Sequence, residues 1–546
     1  MGLARKGNAN YCYVQWVWPD VKIKNLGRLV KKIQLSALTA LALLLLGVVW
    51  TFASPRGSSA DEGFHLTNIW CAWGDSELCE LDPLIENRAF VPEALAKSSC
   101  YTTWPSQSGA GCLKDLSMDS VESSKLSFTY SLGFFKTMRV FAGENLDLSV
   151  QVMRLFNVVL ASVLLFWALA ASTKPIARAL AISWGVAMIP IGIYFIASVN
   201  PSSWTIMGVG TFWAFLASAL GPGIKTKRQL MSLWLGASST LIIAILARGE
   251  SGIYLTGTIG AILIWRWKSI REYLPRSALL LCLGGFIVTV LSSLVVIFSR
   301  FSSFSFPGAQ TSTDQPVPMV KTLLELPSFL FGLFGGQPAY FIITDSEFFR
   351  SGIEGYRPTG FIFGVGWTEF DLPSLVGLLV GAAAFGAVII GFTKYSKPRV
   401  LAVLFLVVGL TTQIILMRAS IDFSNAAYLQ PRYFFPYVLV ILGIAVTLPI
   451  KRSPFFSKMQ LLLISTPIVI AGSVAWLATA TRYAVSPSAA YTNFGQPIEW
   501  WWDFGPGRLA WFVVACLATL LWVSIAAGFW GRVSVPKGKK HQSLLN

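Results

Sequence analysis

The feature that most constrains this chain is a succession of apolar runs, most about 18 residues or longer, the length at which a helix crosses a bilayer. About twelve of them cover residues 34–53, 150–172, 179–198, 203–221, 229–247, 252–266, 277–299, 374–392, 400–417, 433–450, 459–480 and 508–528. A backbone in hydrocarbon finds no water to bond, so runs of this kind fold as helices. The expected fold class is therefore all-α: a polytopic transmembrane helix bundle with a large first extracytoplasmic loop. Composition agrees, since only 13% of the residues are charged, about half the share usual in a soluble protein.

Two hydrophilic segments are long, residues 54–149 and 300–373. The second contains an apolar patch, Leu323 to Ile343, interrupted by Pro327, Gly335, Gly336 and Pro338; it reads as interfacial or re-entrant rather than as a span. The domain organisation expected is a basic tail over 1–33, a transmembrane domain over 34–530 that includes both loops, and a second basic tail over 531–546. The first run is of full spanning length and a second span follows it, which speaks against a cleaved signal peptide.

Orientation follows from Lys and Arg in the short connections. Lys22, Lys24, Arg28, Lys31 and Lys32 precede the first run. Lys174 and Arg178 follow the second, Lys225, Lys227 and Arg228 the fourth, and Arg266, Lys268, Arg271 and Arg276 the sixth. Lys394, Lys397 and Arg399 follow the eighth, Lys451, Arg452 and Lys458 the tenth, and Arg532, Lys537, Lys539 and Lys540 the last. Every even-numbered exit is basic and hence cytoplasmic. Only Asp20 and Glu272 of the 26 acids fall on that side. The formal charge of +17 thus divides into about +24 inside and about −7 outside. The basic excess is a topology signal and an attraction to anionic lipid. Scattered over short loops, it is not a nucleic-acid surface.

Cys71, Cys79, Cys100 and Cys112 cluster in the first long loop, whereas Cys12, Cys282 and Cys516 are scattered. Four cysteines on one side of a membrane suggest an oxidising compartment and two disulfides. Pairing neighbours, Cys71–Cys79 and Cys100–Cys112, closes the shortest loops; the other two connectivities stay open. The four lack the close spacing of structural zinc.

No phosphate-cradling Gly-rich loop precedes the one Gly-Lys pair, Gly538-Lys539, and with only His65 and His541 no HExxH is present. ATP-driven transport and zincin proteolysis lack their usual groups. The most informative segment is Ser59-Ala60-Asp61-Glu62-Gly63-Phe64-His65, just past the first run. Ser59 with Glu62 fits a capping box, so a helix is expected to start there and run towards Trp73. Asp61 and His65 then share one face. A carboxylate beside a membrane exit is partly desolvated, which favours proton uptake and suits a general base. A capping acid in a solvated loop is the plainer alternative.

The Asp-Glu pair after the first span, with His65 three residues beyond Glu62, resembles the bacterial domain of unknown function 2142 family. Further matches follow in order: Asn200-Pro201-Ser202-Ser203, Ala247-Arg248-Gly249-Glu250, Gly364-Val365-Gly366-Trp367 with Asp371-Leu372-Pro373, and Gln430-Pro431-Arg432-Tyr433-Phe434-Phe435-Pro436. That family looks like a branch of the GT-C glycosyltransferases, which use polyprenyl-phosphate sugars. The resemblance implies a GT-C-like bundle in a bacterial plasma (inner) membrane. It implies Asp61 as catalytic base, with Glu62 as its helper or a metal ligand.

Sugar transfer from a phosphate needs an activated hydroxyl and cations that neutralise the leaving phosphate. Arg154, Arg248, Arg418 and Arg432 fall at outer ends of predicted spans, and Arg suits phosphate through its two parallel donors. Arg248 and Arg432 are the strongest candidates, and Glu250, Tyr433, His65 and Trp367 complete the expected substrate-binding set. Snorkelling to the interface is the alternative for each arginine, with pairing to Glu250 a further one for Arg248 and pairing to a loop acid a further one for Arg154. The outer aromatics, including Trp500, Trp501 and Trp502, fit an interfacial belt. In-span Asn157, Thr411, Thr412 and Gln413 fit helix–helix hydrogen bonds. No cofactor is expected, although the outer acids leave room for a divalent cation that no ligand spacing demands.

The leading expectation is an enzyme that moves a sugar, with inversion, from a polyprenyl-phosphate donor to a glycan or lipid-linked acceptor. A flippase or exporter of lipid-linked glycans should carry charges inside the bundle, and this chain concentrates them outside. A glycan polymerase or ligase would share the same outer carboxylate and arginines. A non-enzymatic envelope scaffold would be indifferent to Asp61→Asn.

Overall fold

The computed structural model describes residues 20–273, 332–334, 365 and 372–530, apart from 86, 104–107, 124–125, 128–130, 223–225, 394–395, 421–429, 449–455, 485–500 and 502–506. Among the described residues, eight helices are long and apolar enough to cross a membrane. They are Val30–Thr51, Leu146–Ala171, Lys174–Ile196, Lys227–Ala247, Ser374–Phe392, Lys397–Ile415, Lys458–Ala484 and Arg508–Phe529. Helices also stand at the fourth, sixth and tenth predicted spans, Ser202–Ala219, Ser251–Tyr273 and Phe435–Ala445, but they do not meet that measure. The last, with 11 residues, is only about 16 Å long at 1.5 Å per residue. The predicted seventh span, 277–299, and nearly all of the 300–373 loop lie outside the described residues.

In chain order the first half runs α1 (Asp20–Thr51), α2 (Glu62–Trp70), β1 (Glu80–Leu81), β2 (Ala89–Pro92), α3 (Glu93–Ala96), α4 (Cys100–Thr103), α5 (Gly109–Lys114), β3 (Ser120–Ser123) and α6 (Leu132–Met138). Then come α7 (Leu146–Ala171), α8 (Lys174–Ala187), α9 (Ile193–Ile196), α10 (Ser202–Ala219), α11 (Lys227–Ala247) and α12 (Ser251–Tyr273). The span made of α8 and α9 is wholly buried and α10 nearly so, so these form the middle of the bundle. Pro190 offers no N–H for a helical bond, and the span breaks over Met188–Gly192 around non-helical Ile189. In contrast α1, α7, α11 and the Ser374–Phe392, Lys458–Ala484 and Arg508–Val523 helices each keep an exposed stripe of large apolar side chains, as contact with lipid requires.

The hydrophilic segment between α1 and α7 is folded rather than loose. Its antiparallel sheet has the order β1-β2-β3, with Glu80 opposite Phe90 and Ala89 opposite Ser123. Cys71 is bonded to Cys79 and Cys100 to Cys112, with Cα separations of 5.5 and 6.2 Å. Neighbour pairing therefore holds, and both bonds staple short excursions onto the bundle.

The exit from α1 controls everything around it. Residues 51–60 are all buried yet follow no regular structure after Thr51. Buried carbonyls without partners are costly, and here seven in succession are met. Arg154 of α7 donates to Ser54 O at 2.7 Å and Pro55 O at 2.7 Å. Tyr101 reaches Arg56 O at 2.8 Å, Ser99 Gly57 O at 2.9 Å, and Tyr483 Ser58 O at 3.2 Å. The amide of Glu62 bonds Ser59 O at 2.9 Å, and Asn200 bonds Ala60 O at 2.7 Å. Gly57 has φ of 78° and lies against the Ser98 carbonyl, where a Cβ would collide; only glycine suits such a position.

Removing the Arg154 guanidinium would strand the buried Glu62 carboxylate with which it pairs at 3.2 Å. Loss of one partner of a buried ion pair costs about 3–5 kcal/mol. Arg154→Leu should therefore lower the midpoint of thermal unfolding in detergent markedly, and an unchanged midpoint would contradict this account. Peptide mapping of the unreduced protein should recover Cys71 linked to Cys79 and Cys100 linked to Cys112, and no crossed pair.

Candidate functional site

Asp61 is the residue on which the segment turns. It precedes α2 with φ of 63° and ψ of 6°, the left-handed region that Asp and Asn enter more readily than other non-glycine residues. The helix thus begins at Glu62, not at Ser59. Half of the expected capping box is present: the Glu62 carboxylate accepts from the Ser59 amide at 3.0 Å. The left-handed turn separates the two acids. Asp61 is about a quarter exposed, at 27%, while Glu62 is fully buried.

Arg432 meets Asp61 from the other end of the sequence. It lies in the 3₁₀ turn Pro431–Tyr433 at the entry to the Phe435–Ala445 helix. Pro431 and Pro436 each stand at the start of a helical turn, where a missing N–H is harmless. The Arg432 guanidinium is buried and ion-pairs through Nη2 with Asp61 Oδ2. It also donates to Ala60 O at 2.7 Å and Tyr433 Oη at 2.9 Å. Its plane lies over Phe195 at 5.4 Å and Tyr433 at 4.8 Å, which adds cation–π attraction.

A second guanidinium shares that tyrosine. Arg248 leaves the end of α11 in extended conformation, and its Cζ lies 5.1 Å from the centre of the Tyr433 ring. It donates to Ser202 Oγ at 3.0 Å and pairs with Glu250 at 3.3 Å. The Tyr433 carbonyl in turn accepts from the Tyr254 hydroxyl. Two arginines, two carboxylates and one phenol ring therefore form a connected group, supplied by the α1–α2 turn, the α11–α12 turn and the Pro431–Tyr433 turn, with Ser202 at the start of α10 accepting from Arg248. His65 packs beneath it, with its ring 5.7 Å from Phe135. Burial first, then the charges of Arg432 and Arg248, hold its imidazole well below the ordinary value.

The structure brings Asp61, Arg432, Tyr433, Arg248 and Glu250 together and sets His65 beside them. It does not give Glu62 and Arg154 the substrate-facing positions expected of them. Glu62 accepts from the Val199 amide at 2.9 Å and from Arg154 at 3.2 Å. Both side chains are consumed inside the protein, because a carboxylate and a guanidinium with almost no exposure must satisfy one another. Arg418 is within the Lys397–Ser420 helix, but its side chain lies outside the described residues, as does Trp367. Ser202, Phe195, Asn200 and Tyr254 join the site without having been singled out as binding residues. The Asn200-Pro201-Ser202-Ser203 motif carried a signal for two of them. The in-span Asn157 bonds Ser198 O at 2.9 Å and accepts from Trp204 at 2.9 Å, a helix-to-helix role as expected. Among the described residues no three His, Cys, Asp or Glu side chains are grouped to hold a metal ion.

No curated protein and no solved structure matches the chain. A family model described as "predicted membrane protein (DUF2142)" matches residues 44–442. This stretch runs from the last turns of α1 through the Asp61, Arg248 and Arg432 turns. The chain belongs to the domain of unknown function 2142 family of membrane proteins.

Proposed function

We propose that the chain is a membrane glycosyltransferase. It moves a sugar from a polyprenyl-phosphate donor to a glycan or lipid-linked acceptor at the extracytoplasmic face of a bacterial plasma membrane, with the amino terminus in the cytoplasm. The observation that carries this reading is one partly exposed carboxylate, Asp61, held by a buried arginine, with a second arginine on the same tyrosine ring.

In the reaction the acceptor oxygen attacks the anomeric carbon from the face opposite the phosphate. The carbon–oxygen bond to phosphate breaks, and its electron pair leaves with the phosphate. The acceptor proton passes to the Asp61 carboxylate. Configuration inverts because a single displacement occurs. Arg248 and Arg432 would stabilise charge on the departing phosphate, as preorganised cations do in a site shielded from water. Glu62 has no part in the chemistry; it holds the turn that presents Asp61. His65 is a poor base here, since burial and both guanidiniums oppose its protonation.

Asp61→Asn keeps a side chain that tolerates the left-handed turn and removes only the charge. Loss of a general base lowers rates about 10²–10⁴-fold, so Asp61→Asn cells should lose one surface glycan at unchanged protein level, and so should Arg432→Ala cells. A normal glycan in Asp61→Asn cells would end the assignment. The His65 imidazole sets a second expectation. Its folded value is depressed, so the unfolded chain binds the extra proton. Stability should be complete above about pH 6.5, the ordinary imidazole value, and decline as pH falls below it. Thermal midpoints recorded between about pH 5 and 7 should show this decline, flattened in His65→Phe.

A further inference from the structure

The segment Leu132–Phe141 presents a face that no described element covers, with two large apolar side chains and a lysine between them. Leu132, Lys136 and Val140 recur every four residues and are all exposed, whereas Phe134, Phe135 and Met138 on the other side are buried. Val140 is 62% exposed, and Trp73, over whose ring Arg139 lies at 5.7 Å, is 61% exposed. Exposed large apolar side chains in such a group mark a contact surface.

Its depth in the molecule identifies the contact. Gln151 and Arg154 of α7 bond to Thr51, the last residue of the first span, at 2.7 and 3.2 Å. That level on α7 therefore marks the end of the span. Phe156, two residues further into α7, packs on Phe141 with ring centres 4.9 Å apart. At the other end of the segment, Gly133 lies against Leu246, next to the last residue of α11. Leu132 and Val140 thus continue the exposed apolar bands of both neighbours, Leu148, Val159 and Val163 on α7 and Ile242, Ile245 and Leu246 on α11.

We infer that Leu132–Phe141, with Trp73, is an interfacial anchor seated in the lipid leaflet at the site end of the bundle. Leu132 and Val140 enter the acyl boundary, Lys136 between them lays its aliphatic stem there and returns its ammonium to the headgroups, and Trp73 sits among those headgroups. An amphipathic helix lies in this way when its apolar face continues into the bilayer and its basic residues stay with the phosphates. Because His65 packs on Phe135, the anchor ties α2 to the level of the membrane surface. The inference stands whatever reaction the site performs.

The test uses the full chain in lipid nanodiscs, with Cys12, Cys282 and Cys516 changed to alanine and a nitroxide placed at Leu132→Cys, Val140→Cys or Leu84→Cys. Leu84, in the turn between β1 and β2, is the water-facing reference. Relaxation by oxygen should exceed relaxation by a nickel chelate at 132 and 140, and the order should reverse at 84. The inference is overturned if either 132 or 140 behaves like 84. Shielding from both reagents would equally overturn it, by showing a protein cover. If one variant fails to fold, the other decides alone, with the same expected order.

Discussion

A stretch of non-helical backbone buried at the mouth of a membrane bundle is the constraint from which the rest follows. Connections usually run over the surface because buried peptide groups need partners. Residues 54–60 instead pass through the interior, and their carbonyls are met by side chains from α7, α4, the α9–α10 turn and the Lys458–Ala484 helix. Elements far apart in sequence therefore have to come together for this turn to be satisfied. The two disulfides and the small sheet act on the same problem from outside, by fixing α4 and the segment that delivers Tyr101 and Ser99.

Two arginines illustrate how the exposure of a partner divides similarly buried residues between the interior and the surface. Arg154 spends its donors on the carbonyls of Thr51, Ser54 and Pro55 and on Glu62. A cation there also suits the carboxyl end of α1, where helix carbonyls are left open. Arg432 is equally buried, but its carboxylate partner is partly exposed. One arginine closes a protein-internal network, and the other links that network to the surface.

Much of this was legible in the sequence, and its limits have physical causes. Apolar runs mark helices because hydrocarbon permits few alternatives, and eleven of the twelve predicted spans coincide with described helices, eight of them of spanning length and hydropathy. The juxtaposition of Asp61, Arg248 and Arg432 was implied by the family resemblance of their motifs together with their place at outer helix ends. Pairing of Arg154 with a loop acid was open from the sequence, but not that the acid would be Glu62, buried beside Asp61. Adjacent acids look alike in a sequence, and the left-handed conformation of the first of them, Asp61, decides which one faces inwards. Arg154 lies one and a half turns or so into α7 past Leu148, and only the geometry of the neighbouring α1 exit shows that protein carbonyls, rather than lipid or ligand, await its guanidinium.

The balance of charge in the site bears on how it would handle an anion. Asp61 and Glu250 offset Arg432 and Arg248, so the connected group carries no formal net charge. A phosphate bound there must exchange with a carboxylate rather than fill a vacant cationic site. The Asp61 turn is built to survive that exchange. Ala60 O is held by Asn200 as well as by Arg432, and the Asp61 carbonyl is engaged by the His65 amide at 2.9 Å. Glu62, locked to Arg154 and Val199, anchors the next residue. If Arg432 releases the Asp61 side chain, the backbone beneath it keeps three attachments, and the freed carboxylate stays at its partly exposed position.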